Sequence, residues 1–66
     1  MKTTKTTHNG KEFTIELMDA YDFTREYPYI AVYVAIKKEF ARYQVGKANT
    51  SEYAMKKAHD FINRNF

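Results

Sequence analysis

From Tyr29 to Lys37 the chain alternates between two kinds of side chain. Ile30, Val32, Val34 and Ile36 recur at every second position, and Tyr29, Ala31, Tyr33, Ala35 and Lys37 fill the positions between them. Successive residues of a strand point to opposite faces, so this pattern predicts a strand with an aliphatic core face and a second face of small residues, tyrosines and a lysine. A second alternation precedes it: Phe13, Ile15 and Leu17 interleave with Glu12, Thr14, Glu16 and Met18, the pattern of a half-buried strand. Asn9-Gly10, just before it, is the strongest two-residue hairpin signal, because both residues tolerate the positive φ of a type I′ turn. The turn predicts a polar edge strand over Thr4–His8, where threonine is comfortable. The alternative for residues 1–8 is a disordered, low-complexity terminus.

Asp19 to Pro28 breaks the alternation with acidic and turn-prone residues. It is read as a connection, longer than a usual hairpin loop, with room for a helical turn around Asp19–Phe23. A third strand is predicted over Phe40–Val45, reached through a turn at Lys38-Glu39 or a four-residue version of the same parity. In that register Ile36 faces Ala41, Val34 faces Tyr43 and Val32 faces Val45. On the other face Ala35 meets Arg42 and Tyr33 meets Gln44. A loop one residue longer would drive Arg42 into the core, and an unpaired buried charge penalises that shift. A rival reading makes residues 35–45 a helix ended by Gly46, and the β-branched density of residues 30–36 argues against it. The last element is a helix over residues 50–65. Asn49 or Thr50 caps it, Glu52 stands three residues after Asn49 as in a capping box, and Ala54, Met55, Ala58, Phe61 and Ile62 form its apolar stripe. The fold class is therefore α+β: a three-stranded antiparallel sheet, four-stranded if the edge strand forms, with one C-terminal helix packed on one face.

Sixty-six residues make a single domain, and a chain of that size buries only roughly 60% of the surface its unfolded state exposes. There is no cysteine to staple it, and two histidines are too few to build a structural metal site. Aromatic residues, 17% of the chain, are the expected core fillers: Phe13, Phe40, Phe61, Tyr43 and Phe23. Self-association is the other remedy for a small core, so a homodimer is a candidate state. No run of about 20 apolar residues is present to span a bilayer. Met1–Lys11 has no secretory hydrophobic stretch, which makes a cytoplasmic, non-membrane protein the expectation. The formal charge of +3 is unevenly spread. Glu12, Glu16, Asp19, Asp22 and Glu26 face a single Arg25 in the middle, while both ends are basic.

Catalytic chemistry has few ingredients here. There is no cysteine nucleophile and no glycine-rich phosphate loop. The one serine, Ser51, starts a helix, and His59 and Asp60 are helix neighbours that point apart. No enzyme activity, cofactor or small-molecule substrate is expected. Asp19, Asp22 and Glu26 match no calcium-loop spacing and read as a solvated acidic loop that can dock on a basic partner. The face carrying Tyr29 and Tyr33 is the stronger candidate, since tyrosine rings stack on bases or pack on proteins, and Lys37, Lys38, Arg42 and Lys47 can hold phosphates at its margins.

The passage Tyr43-Gln44-Val45-Gly46, followed by Thr50-Ser51-Glu52 and Ala54 to Ala58, is similar to the strand-to-helix passage of small DNA-binding domains of plant AP2 type and of integrase arm-binding type. The resemblance covers the last third of the chain and implies a three-stranded sheet, backed by a helix, entering a DNA major groove. This chain differs in having no tryptophan, few arginines, and Glu12 and Glu16 on its first long strand. Two functions follow as expectations. One is a noncatalytic module binding double-stranded nucleic acid through Tyr29, Tyr33, Lys37, Lys38, Arg42 and Lys47. The other is a small inhibitor or accessory factor, of the kind phages and other mobile elements encode. It would contact a larger protein or a second copy through Tyr33 and the sheet face or through Asp19, Asp22 and Glu26.

Overall fold

The computed structural model describes residues 1–66 and shows the α+β fold that the patterning predicts. Four antiparallel strands lie side by side in chain order: β1 (Lys2–His8), β2 (Lys11–Asp22), β3 (Tyr27–Ile36) and β4 (Ala41–Ala48). One helix, α1 (Ser51–Asn65), follows them, and none is long and apolar enough to cross a membrane. Asn9 and Gly10 take φ values of 52° and 77°, and this turn pairs His8 with Lys11 and carries the threonine-rich segment back along β2 as an edge strand.

The helix packs across β3 and β4 and reaches β2. Phe13, Ile15 and Leu17 of β2 and Val32, Val34 and Ile36 of β3 meet Ala54, Ala58 and Ile62 from the helix. Alanines one turn apart let the helix axis approach the sheet, and Ile62, Phe61 and Phe66 fill the wider end. Thr50 is the cap: its Oγ1 accepts the backbone N–H of Tyr53 at 3.2 Å. Glu52 is then the second helical residue, one position early for a capping box with Thr50, and Asn49 lies outside the helix.

Several expectations are corrected. Asp19–Pro28 is not a loop with a helical turn. Asp22 Oδ1 accepts the backbone N–H groups of Thr24 and Arg25 at 3.0 and 3.1 Å, which closes the chain reversal within residues 23–26. The ladder then continues through Asp19↔Ile30, Ala20↔Tyr29, Tyr21↔Pro28 and Asp22↔Tyr27. Since β1 ends opposite Leu17 and β4 opposite Ile30, this hairpin projects past its neighbours as a two-stranded arm. Pro28 is tolerated there because β3 is an edge at that point. Residues 35–45 follow the favoured strand–turn–strand reading and not the rival helix, as the end of β3, a one-turn 3-10 segment (Lys37–Glu39) and the start of β4, which begins at Ala41 and not Phe40. The four-residue reversal keeps Ile36↔Ala41, Val34↔Tyr43 and Ala35↔Arg42. Val32, however, faces Gly46 and not Val45, because Val45 is an extra residue in a β-bulge.

Nor do the five large aromatics share one core. Phe13 is fully buried, Phe61 packs at the core margin, and Tyr43 is exposed at one edge of its ring cluster with Phe61 and Phe66. Phe23 and Phe40 are 84% and 97% exposed. Both sit at chain reversals, where backbone geometry decides the direction of the side chain. Phe40 closes its reversal in the left-handed region, φ 53° and ψ 32°, a conformation that costs an L-residue roughly 1–2 kcal/mol. Glycine there removes the strain at some cost in chain entropy. Phe40→Gly is accordingly expected to stabilise the fold by about 0.5–1 kcal/mol, read as a higher urea midpoint. A lower midpoint would mean that the ring makes stabilising contacts despite its exposure.

Candidate functional site

The face of the sheet opposite the helix carries two adjoining rows, Thr14↔Ala35↔Arg42 and Glu16↔Tyr33↔Gln44. Arg42 reaches from β4 over β3 to β2. Its Nε donates to Glu16 Oε1 at 2.8 Å, its Cζ lies 4.0 Å from the centroid of the Tyr33 ring, and its Nη2 stands 3.7 Å from Met18 Sδ. A planar guanidinium can satisfy a carboxylate in its plane while stacking on a ring with its face, which an ammonium cannot do. Thr14 and Ala35 are buried although no helix covers them. The long side chains of the face close over their small neighbours.

A second cation repeats the arrangement toward the arm. Lys47 Nζ lies 4.7 Å above the Tyr29 ring and 3.9 Å from Asp22 Oδ2. Tyr27 and Tyr29 stand 6.1 Å apart along the same face of β3. The N–H of Arg25 holds the Asp22 carboxyl below the usual carboxylate range. Partial burial opposes this, while the Thr24 N–H and the charges of Lys47 and Arg25 reinforce it. A depressed pKa means that the charged carboxylate supports the arm's turn at neutral pH, and that this support disappears as pH falls through the lowered value.

The structure therefore brings Tyr29, Tyr33, Arg42 and Lys47 onto one face. Lys37 and Lys38 lie apart from them, in the 3-10 turn at the end of the sheet away from the arm. Asp19, Asp22 and Glu26 do not converge. Asp19 and Asp22 fall on opposite faces of β2, and Glu26 sits in the tip turn at φ 56°. No group of three histidine, cysteine or carboxylate side chains is arranged to hold a metal ion. Sequence reasoning left out Met18 and the Asp22–Lys47 pair, which depends on the bulge at Val45. It also missed Phe66, whose ring lies 5.0 Å from Phe13 and 5.8 Å from Tyr43.

Comparison with known proteins finds no matching family model, no matching curated protein and no matching solved structure. None of these comparisons supports the resemblance of residues 43–58 to AP2-type and integrase arm-binding domains.

Proposed function

We propose that the protein is a noncatalytic binding module that presents the Tyr29, Tyr33, Arg42 and Lys47 face of its sheet to a larger protein, as an inhibitor or accessory factor does. The observation that carries this reading is the double engagement of Arg42, hydrogen-bonded to Glu16 and stacked on Tyr33. Duplex binding is driven by cations that exchange counterions for phosphates. Here Arg42 and Lys47 already have carboxylate partners, and a docked phosphate would face Glu16 and Asp22 as well. A protein surface makes no such demand. Tyrosine and arginine dominate the energetic centres of protein interfaces. Side chains already held in place also lose less entropy on binding.

The test uses the immobilised chain as bait in extract of its host, with and without nuclease, read for protein and nucleic acid together. The expected result is a nuclease-resistant protein retained by the wild type and lost by Tyr33→Asp and Arg42→Ala, both checked for an unchanged circular dichroism spectrum. Retention of duplex nucleic acid that falls steeply with salt and is lost in Arg42→Ala overturns the reading in favour of nucleic acid. Equal retention by wild type and variants removes the sheet face from any binding role.

A further inference from the structure

We propose that the projecting hairpin arm of one copy docks into a groove between β4 and α1 of a second copy, so that two chains associate through reciprocal arm-in-groove contacts. The arm carries apolar surface that its own chain does not cover. Tyr21 and Phe23 pack edge to face at 5.0 Å on the helix side of β2 and at its tip, and both remain exposed. The groove is mixed in character, with three apolar residues among the seven that line it. It is about 300 Å³ in volume and is lined by Val45 of β4 and by Tyr53, Lys57, Phe61 and Arg64 of the helix. The helix residues fall three or four apart and so share one flank. That space admits one aromatic side chain.

Charge specifies the occupant. Residues 12–28 carry five carboxylates against Arg25, a net charge of −4, while the remaining ten lysines and arginines and three carboxylates give +7. Asp19 and Glu26, on either side of Phe23, make no ion pair within the chain. Lys57 and Arg64 on the groove wall make none either, and Asp60, which also lines it, is engaged by Lys56 at 3.0 Å. An aromatic residue with unpaired acids on either side of it in the sequence thus meets a groove in which Val45, Tyr53 and Phe61 stand beside bases that form no ion pair, and both belong to the same chain. The arm projects past the start of the helix, whereas the groove runs back along the helix from Tyr53 to Asn65, so the arm of one copy points away from its own groove. A two-fold arrangement of the elongated molecule, 40 × 20 × 18 Å, makes both contacts at once.

This surface is separate from the Tyr33–Arg42 centre, and either reading can fail without the other. Light scattering during size exclusion, over a range of loading concentrations, provides the test. The wild type is expected to approach twice its 7.8 kDa mass, with association weakened about tenfold or more when salt is raised to about 1 M. Phe23→Ala, a change at an exposed tip, is expected to weaken association by a similar factor. Reversing the arm (Asp19→Lys with Glu26→Lys) or the groove (Lys57→Glu with Arg64→Glu) is expected to give a monomer in each case. Mixing the two reversed variants restores opposite charge at both contacts, so a heterodimer of the two is the decisive expected result. A wild type that stays monomeric, a dimer that survives both reversals, or a mixture that stays monomeric overturns the proposal. The last two outcomes assign any association to another surface.

Discussion

Phe13→Ala is expected to leave most of the population unfolded in dilute buffer at 25 °C. Phe13 is fully buried near the start of β2, with the Phe66 ring 5.0 Å away. Truncating a buried phenylalanine costs about 3–5 kcal/mol, because the lost transfer energy is compounded by a cavity that only partly collapses. A domain of this length has about 3–10 kcal/mol to lose. Collapse is hindered at this site, since Phe66, whose ring borders it, is tied to the helix end by its N–H to the Ile62 carbonyl at 3.0 Å, and Phe13 itself is held in the ladder opposite Thr6. Far-ultraviolet circular dichroism and a urea titration read the result directly. A cooperative transition displaced by less than about 1 kcal/mol would mean that the rings of Phe66 and Phe61 refill the space, a degree of plasticity outside the usual range for core truncations.

What could be read from the chain alone divides along a physical line. Local chemistry was legible: Asn9-Gly10 demands its turn through positive φ, and Thr50 and the alanine stripe define the helix and the side it buries. The pairing of β3 with the start of β4 was legible too, because any odd shift buries Arg42. The arm was not legible. Its acidic residues resemble a loop, and only the two hydrogen bonds to Asp22 show that the reversal needs no more than four residues. Phe23 and Phe40 were misplaced for a related reason. Hydrophobicity argues for burial, but a residue at a chain reversal points where the backbone sends it. Within the candidate site, period-two patterning put Tyr29 and Tyr33 on one face and cross-strand register added Arg42. The partners that neutralise the cations come from β2, and identifying them required knowing which residues lie opposite across two ladders.

Gly46→Val is expected to cost about 1–3 kcal/mol, the usual penalty for forcing a side chain into a sparsely populated backbone conformation, and also to dismantle the arm end of the site. Gly46 sits at φ 153° immediately after the bulged Val45. Space is not the obstacle, since a Cβ there would meet only the mobile tip of Lys57, at 3.5 Å. The penalty belongs to the backbone, and a β-branched residue feels it most. An isolated glycine inside a strand pattern is the sequence mark of such a bulge. Its consequence for the site follows from parity. Without the extra residue, Lys47 would lie opposite Ile30 on the helix side and Val45 opposite Val32. With it, Gly46 and Ala48 turn toward the helix, and Lys47 turns out to face Tyr29 and Asp22. The variant is therefore expected to show a lower urea midpoint together with loss of the nuclear Overhauser contacts between the Lys47 side chain and the Tyr29 ring. An unchanged midpoint with those contacts intact would show that the bulge is held by the strands around it and does not depend on glycine. Loss of stability with the contacts retained would confine the cost to the backbone of β4 and show that Lys47 keeps its place against Tyr29 without glycine at position 46.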